Sequence, residues 1–205
     1  MIARPIRFVG DLAELPTHVY SHRSLTWWGV VAFMLIEGSG FALAIAAYFF
    51  LMSNQHSWPP EGIAPPDLLP GTLFTIVLLL SVIPNIWLQK AARAEQLDKV
   101  RIGLLILTGF GIVLLVIRAF EFGALNVHWT TNAYGSIQWA LLLLHLTHVG
   151  TDWIDTSVLT ALMFTKQGRT GRRFVDVTEN ALYWHFVVLT WLPLYLMIYW
   201  LPRWL

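Results

Sequence analysis

The chain has 205 residues, of which 57% are hydrophobic and only 12% are charged, and its formal net charge at pH 7 is +1. Such a chain has too little polar material to cover a soluble globule of its size, so the composition predicts a membrane protein. The lack of cysteine excludes disulfides, thiolate metal sites and a cysteine nucleophile, and the balanced charge argues against nucleic acid as a partner.

Five windows are long and apolar enough to cross a bilayer, which takes about 20 residues in a helix. They cover about residues 27–51, 71–88, 102–120, 134–164 and 181–201. Residues 1–25 precede them as a lead-in that lacks the apolar run of a signal peptide. The sequence therefore predicts one all-α membrane domain over residues 1–205, a polytopic bundle of five transmembrane helices.

Lysine and arginine are concentrated on alternate connections. The lead-in, the connection between the second and third windows, and that between the fourth and fifth hold 11 of the 13 basic residues. Because basic segments resist translocation, this asymmetry predicts that the N-terminus lies in the cytoplasm and the C-terminus on the outer side.

The middle of the first window contains one carboxylate, Glu37. Gly40 and Ala44 follow on the same helix face, and small residues at that spacing let another helix approach closely. We therefore expect Glu37 inside a helix-helix contact. The simplest interpretation is a hydrogen-bonding glutamic acid, and the alternative is a group that exchanges protons or contacts a lipid head group.

The third and fourth windows carry further ionisable groups. Arg118 and Glu121 are three residues apart and can pair on one helix face. The fourth window has a polar stripe within about 80° of one face, made up of His145, His148, Asp152 and Asp155. This polar stripe favours a hydrogen-bonded seam in which imidazoles and carboxyls are mutual partners. A metal site and a proton-accessible or lipid-contacting role are the alternatives.

Five motifs follow one another along the chain. Glu37 lies in a span that begins WWG and ends AYFFL, then come WPPEGI at 58–63, Glu121 in FEF, HLTHVG at 145–150, and finally ALYWHFVVLTW followed by LYLMIYW. In this order they resemble subunit III of the haem-copper respiratory oxidases, the cytochrome c and quinol oxidase family. The resemblance covers residues 27–205, and the five-span form is similar to the shorter bacterial members.

The chain departs from the family pattern at several positions. Val188 stands where the family usually has aspartate, residues 84–85 replace histidines near the end of the second core helix, and Glu179 is shifted by one residue. Asp152 and Asp155 do not belong to the pattern. These departures indicate a divergent branch, so a subunit-III-like protein that accompanies nitric oxide reductases is an alternative. A stand-alone membrane enzyme or ion carrier that uses the polar stripe is another.

The resemblance implies an accessory subunit of a terminal oxidase in a bacterial inner membrane, with its C-terminus in the periplasm. Such a subunit has no catalytic or metal-binding residues of its own, and the haem and copper belong to partner subunits. It packs on subunit I, binds phospholipid in a cleft of its bundle, and supports proton uptake and the durability of the active site during aerobic electron transport. The electron donor, cytochrome c or quinol, binds to other subunits of the oxidase.

The resemblance also implies roles for individual residues. Glu37 is the buried carboxylate at the lipid cleft, and the two histidines of the polar stripe line the bundle. A boundary cluster is expected at the cytoplasmic interface, where water or a lipid phosphate can satisfy it; it comprises Glu179, Tyr183, Trp184 and His185. Arg172 and Arg173, just before it, are expected to grip anionic lipid.

Overall fold

The computed structural model describes residues 18–204, so residues 1–17 of the predicted lead-in and Leu205 lie outside the described residues. Five long helices make up most of the described range: α1 Leu25–Ser53, α2 Leu68–Arg93, α3 Leu97–Gly123, α4 Ala133–Met163 and α5 Gly171–Trp204. Short 3-10 turns lie at Ser21–Arg23 and Lys166–Arg169, and residues 18–204 contain no strand. The all-α prediction is confirmed.

Four of these helices, α1, α2, α3 and α5, are long and apolar enough to cross a membrane. All four extend beyond their predicted windows. The largest difference is in α5, which begins at Gly171 rather than at Ala181. The hydropathy window missed this first part because its polar residues, such as Glu179, are buried against other helices. At about 1.5 Å per residue, the 34 residues of α5 make it longer than a bilayer core of about 30 Å.

Successive helices run antiparallel. Arg101 at the start of α3 donates to the carbonyl of Met163 at the end of α4, at 2.8 Å. Tyr48 near the end of α1 donates to the carbonyl of Met197 near the end of α5, at 2.9 Å. We call the end of the bundle where α1, α3 and α5 start the proximal end, and the other the distal end.

The helix α1 stands apart from the other four. Only two of its 29 residues, Phe41 and Tyr48, are buried. The close small-residue contact expected along this helix is formed only in part. Ala44 packs against the buried core, whereas a Cβ built on Gly40 would meet no atom within 4 Å. A cavity separates the proximal half of α1 from α4 and α5 instead.

Both ends of α1 are nevertheless fastened. At the distal end, Trp58 from the proline-rich loop donates to the hydroxyl of Tyr48 at 2.7 Å. At the proximal end, Tyr20 donates to Glu95 in the turn between α2 and α3 at 3.2 Å, and the His18 ring lies 2.7 Å from the same carboxylate. Burial and the Glu95 charge raise the pKa of Tyr20 to about 12, so its hydroxyl keeps its proton at neutral pH.

The distal part of α5 changes its winding. After Pro193 the helix forms a π-helical turn at Leu196–Trp200, which contains Tyr199. The Tyr199 ring lies so close to α2 that a Cβ on Gly71 would overlap it. Glycine at this position therefore lets the tyrosine pass α2 and reach the interior.

We predict that Gly71→Ala lowers the free energy of unfolding by about 1–3 kcal/mol, because the methyl group must displace a fully buried ring. Gly40→Ala is the matched control, since it adds the same methyl group where no atom lies within 4 Å. Titration of the purified protein with a denaturing detergent, followed by circular dichroism, measures both. Equal stability of the two variants would contradict the assigned role of Gly71.

Candidate functional site

A cavity of about 620 Å³ lies between α1, α4 and α5. Along α5 its lining runs from Arg173 to Tyr183, a length of about 15 Å, so the cavity extends from the proximal end towards the middle of the bundle. Apolar side chains form much of the wall, and five carboxylates also line it: Glu37, Asp152, Asp155, Asp176 and Glu179. A volume of this size is typical of small-molecule sites.

Glu37 lies at the inner end of the cavity. One of its carboxylate oxygens accepts from the Tyr183 hydroxyl at 2.7 Å, and the other lies 3.4 Å from Nε2 of His148. The His148 Nδ1 donates to the Leu144 carbonyl at 2.6 Å. A neutral ring in this tautomer has only a lone pair at Nε2, so attraction requires a proton on either His148 or Glu37.

The two aspartates of the polar stripe share one amide on α5. The Asn180 Nδ2 donates to Asp152 at 3.3 Å and to Asp155 at 3.1 Å, while its carbonyl oxygen accepts from Thr156 at 3.1 Å. One side chain thus fixes two carboxylates and the hydroxyl of a third residue on α4. Asn180 is a residue of this candidate site that the sequence did not indicate, because the predicted fifth window began at Ala181.

The proximal rim of the cavity is acidic. Arg173 donates to Asp176 at 2.8 Å, which leaves Glu179 without that cation. The Glu179 side chain is 4% exposed, and its Oε2 has no hydrogen-bond partner among the described residues. A buried polar atom in this state costs about 1–3 kcal/mol and needs an additional donor.

A second polar group lies towards the distal end, and we call it the arginine network. The Arg118 guanidinium donates to Glu121 at 2.7 Å and to Nδ1 of His145 at 2.8 Å, so the predicted ion pair is formed. The His145 ring must accept at Nδ1, and it donates from Nε2 to the Val187 carbonyl at 3.0 Å. The Tyr199 hydroxyl donates to the other Glu121 oxygen at 2.5 Å.

Two aromatic rings enclose the Arg118 guanidinium. Its central carbon lies 3.7 Å from the ring centre of Phe74 and 4.2 Å from that of Trp191. Arg118 and Glu121 are fully buried, so the rings and hydrogen bonds replace the water that a charge in this position loses. The arginine network thereby connects α2, α3, α4 and α5.

The structure divides the predicted polar stripe between these two regions. His145 belongs to the arginine network, whereas His148, Asp152 and Asp155 face the cavity. Apart from the Leu144 carbonyl on α4, the partners described above for these side chains lie on α1, α3 and α5. The polar stripe therefore joins helices, as the seam hypothesis required. Its imidazoles and carboxyls pair with groups outside the stripe rather than with one another. Over residues 18–204, no group of three or more His, Asp or Glu side chains is placed to hold a metal ion.

The boundary cluster lies on α5, and its side chains contact two other helices. Tyr183 contacts α1 through Glu37, Trp184 donates to Ser81 of α2 at 2.9 Å, and the His185 ring lies 3.0 Å from Asn85 of α2. Because α5 starts at Gly171, these residues lie about 18–21 Å from its beginning. Protein groups are partners of all three of these side chains. Arg172 in the first turn of α5 is exposed.

Comparison with known proteins gives a consistent result. The family model described as cytochrome c oxidase subunit III matches residues 13–203. A cytochrome c oxidase subunit 3 from Synechocystis sp. is 30% identical over 184 residues, which are 88% of this chain and 77% of the relative. The protein of that name from Thermostichus vulcanus is 25% identical over 190 residues, 91% of this chain and 92% of the relative. The cytochrome c oxidase subunit 3 from Drosophila yakuba is 29% identical over 194 residues, 89% of this chain and 72% of the relative.

We predict that Arg118→Met lowers the free energy of unfolding by about 3–5 kcal/mol, because it leaves Glu121 buried without its cation. The double substitution Arg118→Met with Glu121→Leu should recover part of this loss, since no unpaired charge remains. Asp98→Asn, whose side chain is 94% exposed, is the control and should have little effect. Detergent-induced unfolding measures all three, and a double variant no more stable than Arg118→Met would contradict a coupled network.

Proposed function

The chain belongs to the cytochrome c oxidase subunit III family, and on that premise we propose that it is a non-catalytic accessory subunit of a haem-copper terminal oxidase in a bacterial inner membrane. The match of the family model to residues 13–203 carries this conclusion. In this proposal, haem and copper belong to the partner subunits. The chain itself contributes packing, a lipid site and groups that hold protons.

The proposal includes α4 as the fifth membrane span, with a cytoplasmic N-terminus and a periplasmic C-terminus. The 31 residues of α4 give it a length of about 46 Å. Its polar side chains, such as His145 and Asp152, are buried among other helices or face the cavity, so its modest hydropathy is compatible with a span. The 11 of 13 basic residues on alternate connections support the orientation.

Direct packing on oxidase subunit I is the proposed interaction. Many large apolar side chains of α1, α2 and α3 are exposed, among them Phe33, Ile83 and Phe120. Surfaces of this kind need lipid or another membrane protein against them, since neither water nor the described part of the chain covers them.

We further propose that the cavity holds a phospholipid and that its inner end supports proton uptake. The apolar wall that includes Val30, Phe33 and Leu162 suits an acyl chain. At the inner end, Glu37 and His148 are arranged to hold one proton between them. A group of this kind can store a proton near the partner that consumes protons, without carrying out redox chemistry itself.

We predict that the tagged chain, purified from its native membrane in mild detergent, brings with it a large haem-containing partner. A reduced-minus-oxidised spectrum should show haem bands, and mass spectrometry should identify an oxidase subunit I. The control is an unrelated polytopic membrane protein with the same tag from the same membrane, which should be colourless. Recovery of the chain without haem or an oxidase subunit would contradict the proposed function.

A further inference from the structure

A second cavity, far smaller than the first, lies inside the bundle, and we call it the inner chamber. Side chains of α2, α3, α4 and α5 line it, and the polar ones are Asn85, Asp152, Thr156 and Asn180. Asp152 and Asn180 also line the large cavity, so they belong to the wall that the two spaces share. Elsewhere the inner chamber is lined by apolar groups such as Leu107.

The Asn85 side chain points to a ligand in the inner chamber. It is fully buried, and its Oδ1 has no hydrogen-bond partner among residues 18–204. Its Nδ2 donates to the Ala181 carbonyl at 2.9 Å. Turning the amide over would set two oxygens against each other there, so this carbonyl fixes which atom of the amide is the oxygen. A buried acceptor without a donor costs free energy, and a bound molecule with an O–H or N–H group removes that cost.

Asp152 lines the same chamber from α4. Its side chain is 4% exposed, and its Oδ1 accepts from Asn180 at 3.3 Å, which is longer than the about 2.9–3.0 Å of a typical N–H···O bond. The two oxygens of a carboxyl group can accept several hydrogen bonds, so Asp152 has the capacity for another donor. A molecule between Asn85 and Asp152 can therefore donate to both.

The size of the inner chamber decides which molecule this is. The centre of a water molecule can occupy about 10 Å³ of it, and one buried water needs about 10–15 Å³ by this measure. A divalent cation takes about six or more oxygen ligands. The polar lining offers two carboxylate oxygens and three others, one of which, the Asn180 Oδ1, already accepts from Thr156. Water, with two O–H groups, fits both the space and the acceptors.

We propose that the inner chamber binds a single water molecule that donates one hydrogen to the Asn85 Oδ1 and the other to the Asp152 carboxyl group. These residues lie on helices that face each other diagonally, since α2 packs mainly against α3 and α5, and α4 packs against the same two and α1. The water joins α2 to α4 across the proximal half, as the arginine network joins them across the distal half. All of the lining residues belong to this chain, so the inference does not depend on the proposed function.

X-ray radiolysis detects such a water through the side chains beside it. The beam splits a bound water into a hydrogen atom and a hydroxyl radical, and the radical adds to a neighbouring indole ring. Trp184 lines the inner chamber, whereas Trp191, about two turns further along α5, is fully buried against Phe74 and His145. The two indoles are a matched pair, because each donates its N–H to a hydroxyl of α2.

The experiment uses the protein purified from its native membrane together with its partners. It is equilibrated in water that carries a heavy oxygen isotope and exposed to the beam, and mass spectrometry measures the isotope in each tryptophan. We expect Trp184 to be labelled severalfold faster than Trp191. Equal labelling of the two tryptophans, or no label on Trp184, would overturn the proposal.

Two asparagine variants locate the water. Asn85→Leu has nearly the same shape but no acceptor, so it should lower the labelling of Trp184 to the level of Trp191. Asn54→Leu makes the same change at an exposed position after α1 and should keep the labelling of the unaltered protein. Labelling of Trp184 that is unchanged in Asn85→Leu would also overturn the proposal.

Direct observation needs no variant. A structure of the unaltered protein at a resolution that shows ordered water should contain one peak in the inner chamber, about 2.7–2.8 Å from both the Asn85 Oδ1 and an Asp152 oxygen. A dry chamber, or a peak that contacts only one of these two groups, would overturn the proposal.

Discussion

The buried guanidinium of Arg118 is the interaction on which the distal half of the bundle depends. A charge in a low-dielectric interior needs ion-pair, hydrogen-bond or aromatic partners to replace the water it loses. Glu121, His145 and two aromatic rings from α2, α3, α4 and α5 supply them, while the Arg118 Nε has no hydrogen-bond partner among the described residues. Helices that surround one charge in this way cannot shift independently, so the distal half forms a rigid frame.

The proximal half is organised differently. There α1 stands away from α4 and α5, and the polar groups around the cavity are only partly satisfied by one another. The same helix, α4, serves both halves because His145 points to the rigid frame and His148 to the cavity. A membrane helix bundle can therefore contain many ionisable groups for two separate reasons. Some fix the fold, and others are available to a ligand or a proton.

Local features were predictable, whereas long-range ones were not. Hydropathy located all five helices, and a spacing of three residues correctly paired Arg118 with Glu121. The sequence could not indicate that Tyr199 reaches Glu121, since this depends on a π-helical turn and on a glycine of another helix. The start of α5 was missed because residues such as Asn180 are polar yet buried. Gly40 and Ala44 in α1 suggested a close contact with another helix. Small residues at this spacing allow such a contact, but they do not show that a neighbouring helix makes it.

Hydrogen bonds hold both ends of α1 to other parts of the bundle. Tyr20 ties its beginning to the turn after α2, and Tyr48 ties its end to α5 and the proline-rich loop. Between these ties Phe41 is the one buried residue of α1, and Glu37 accepts a hydrogen bond from Tyr183. The cavity therefore has one wall that is held at a few separate points, whereas its other two walls, α4 and α5, are packed along their length. What distinguishes the three walls is thus the number of anchoring points rather than their composition.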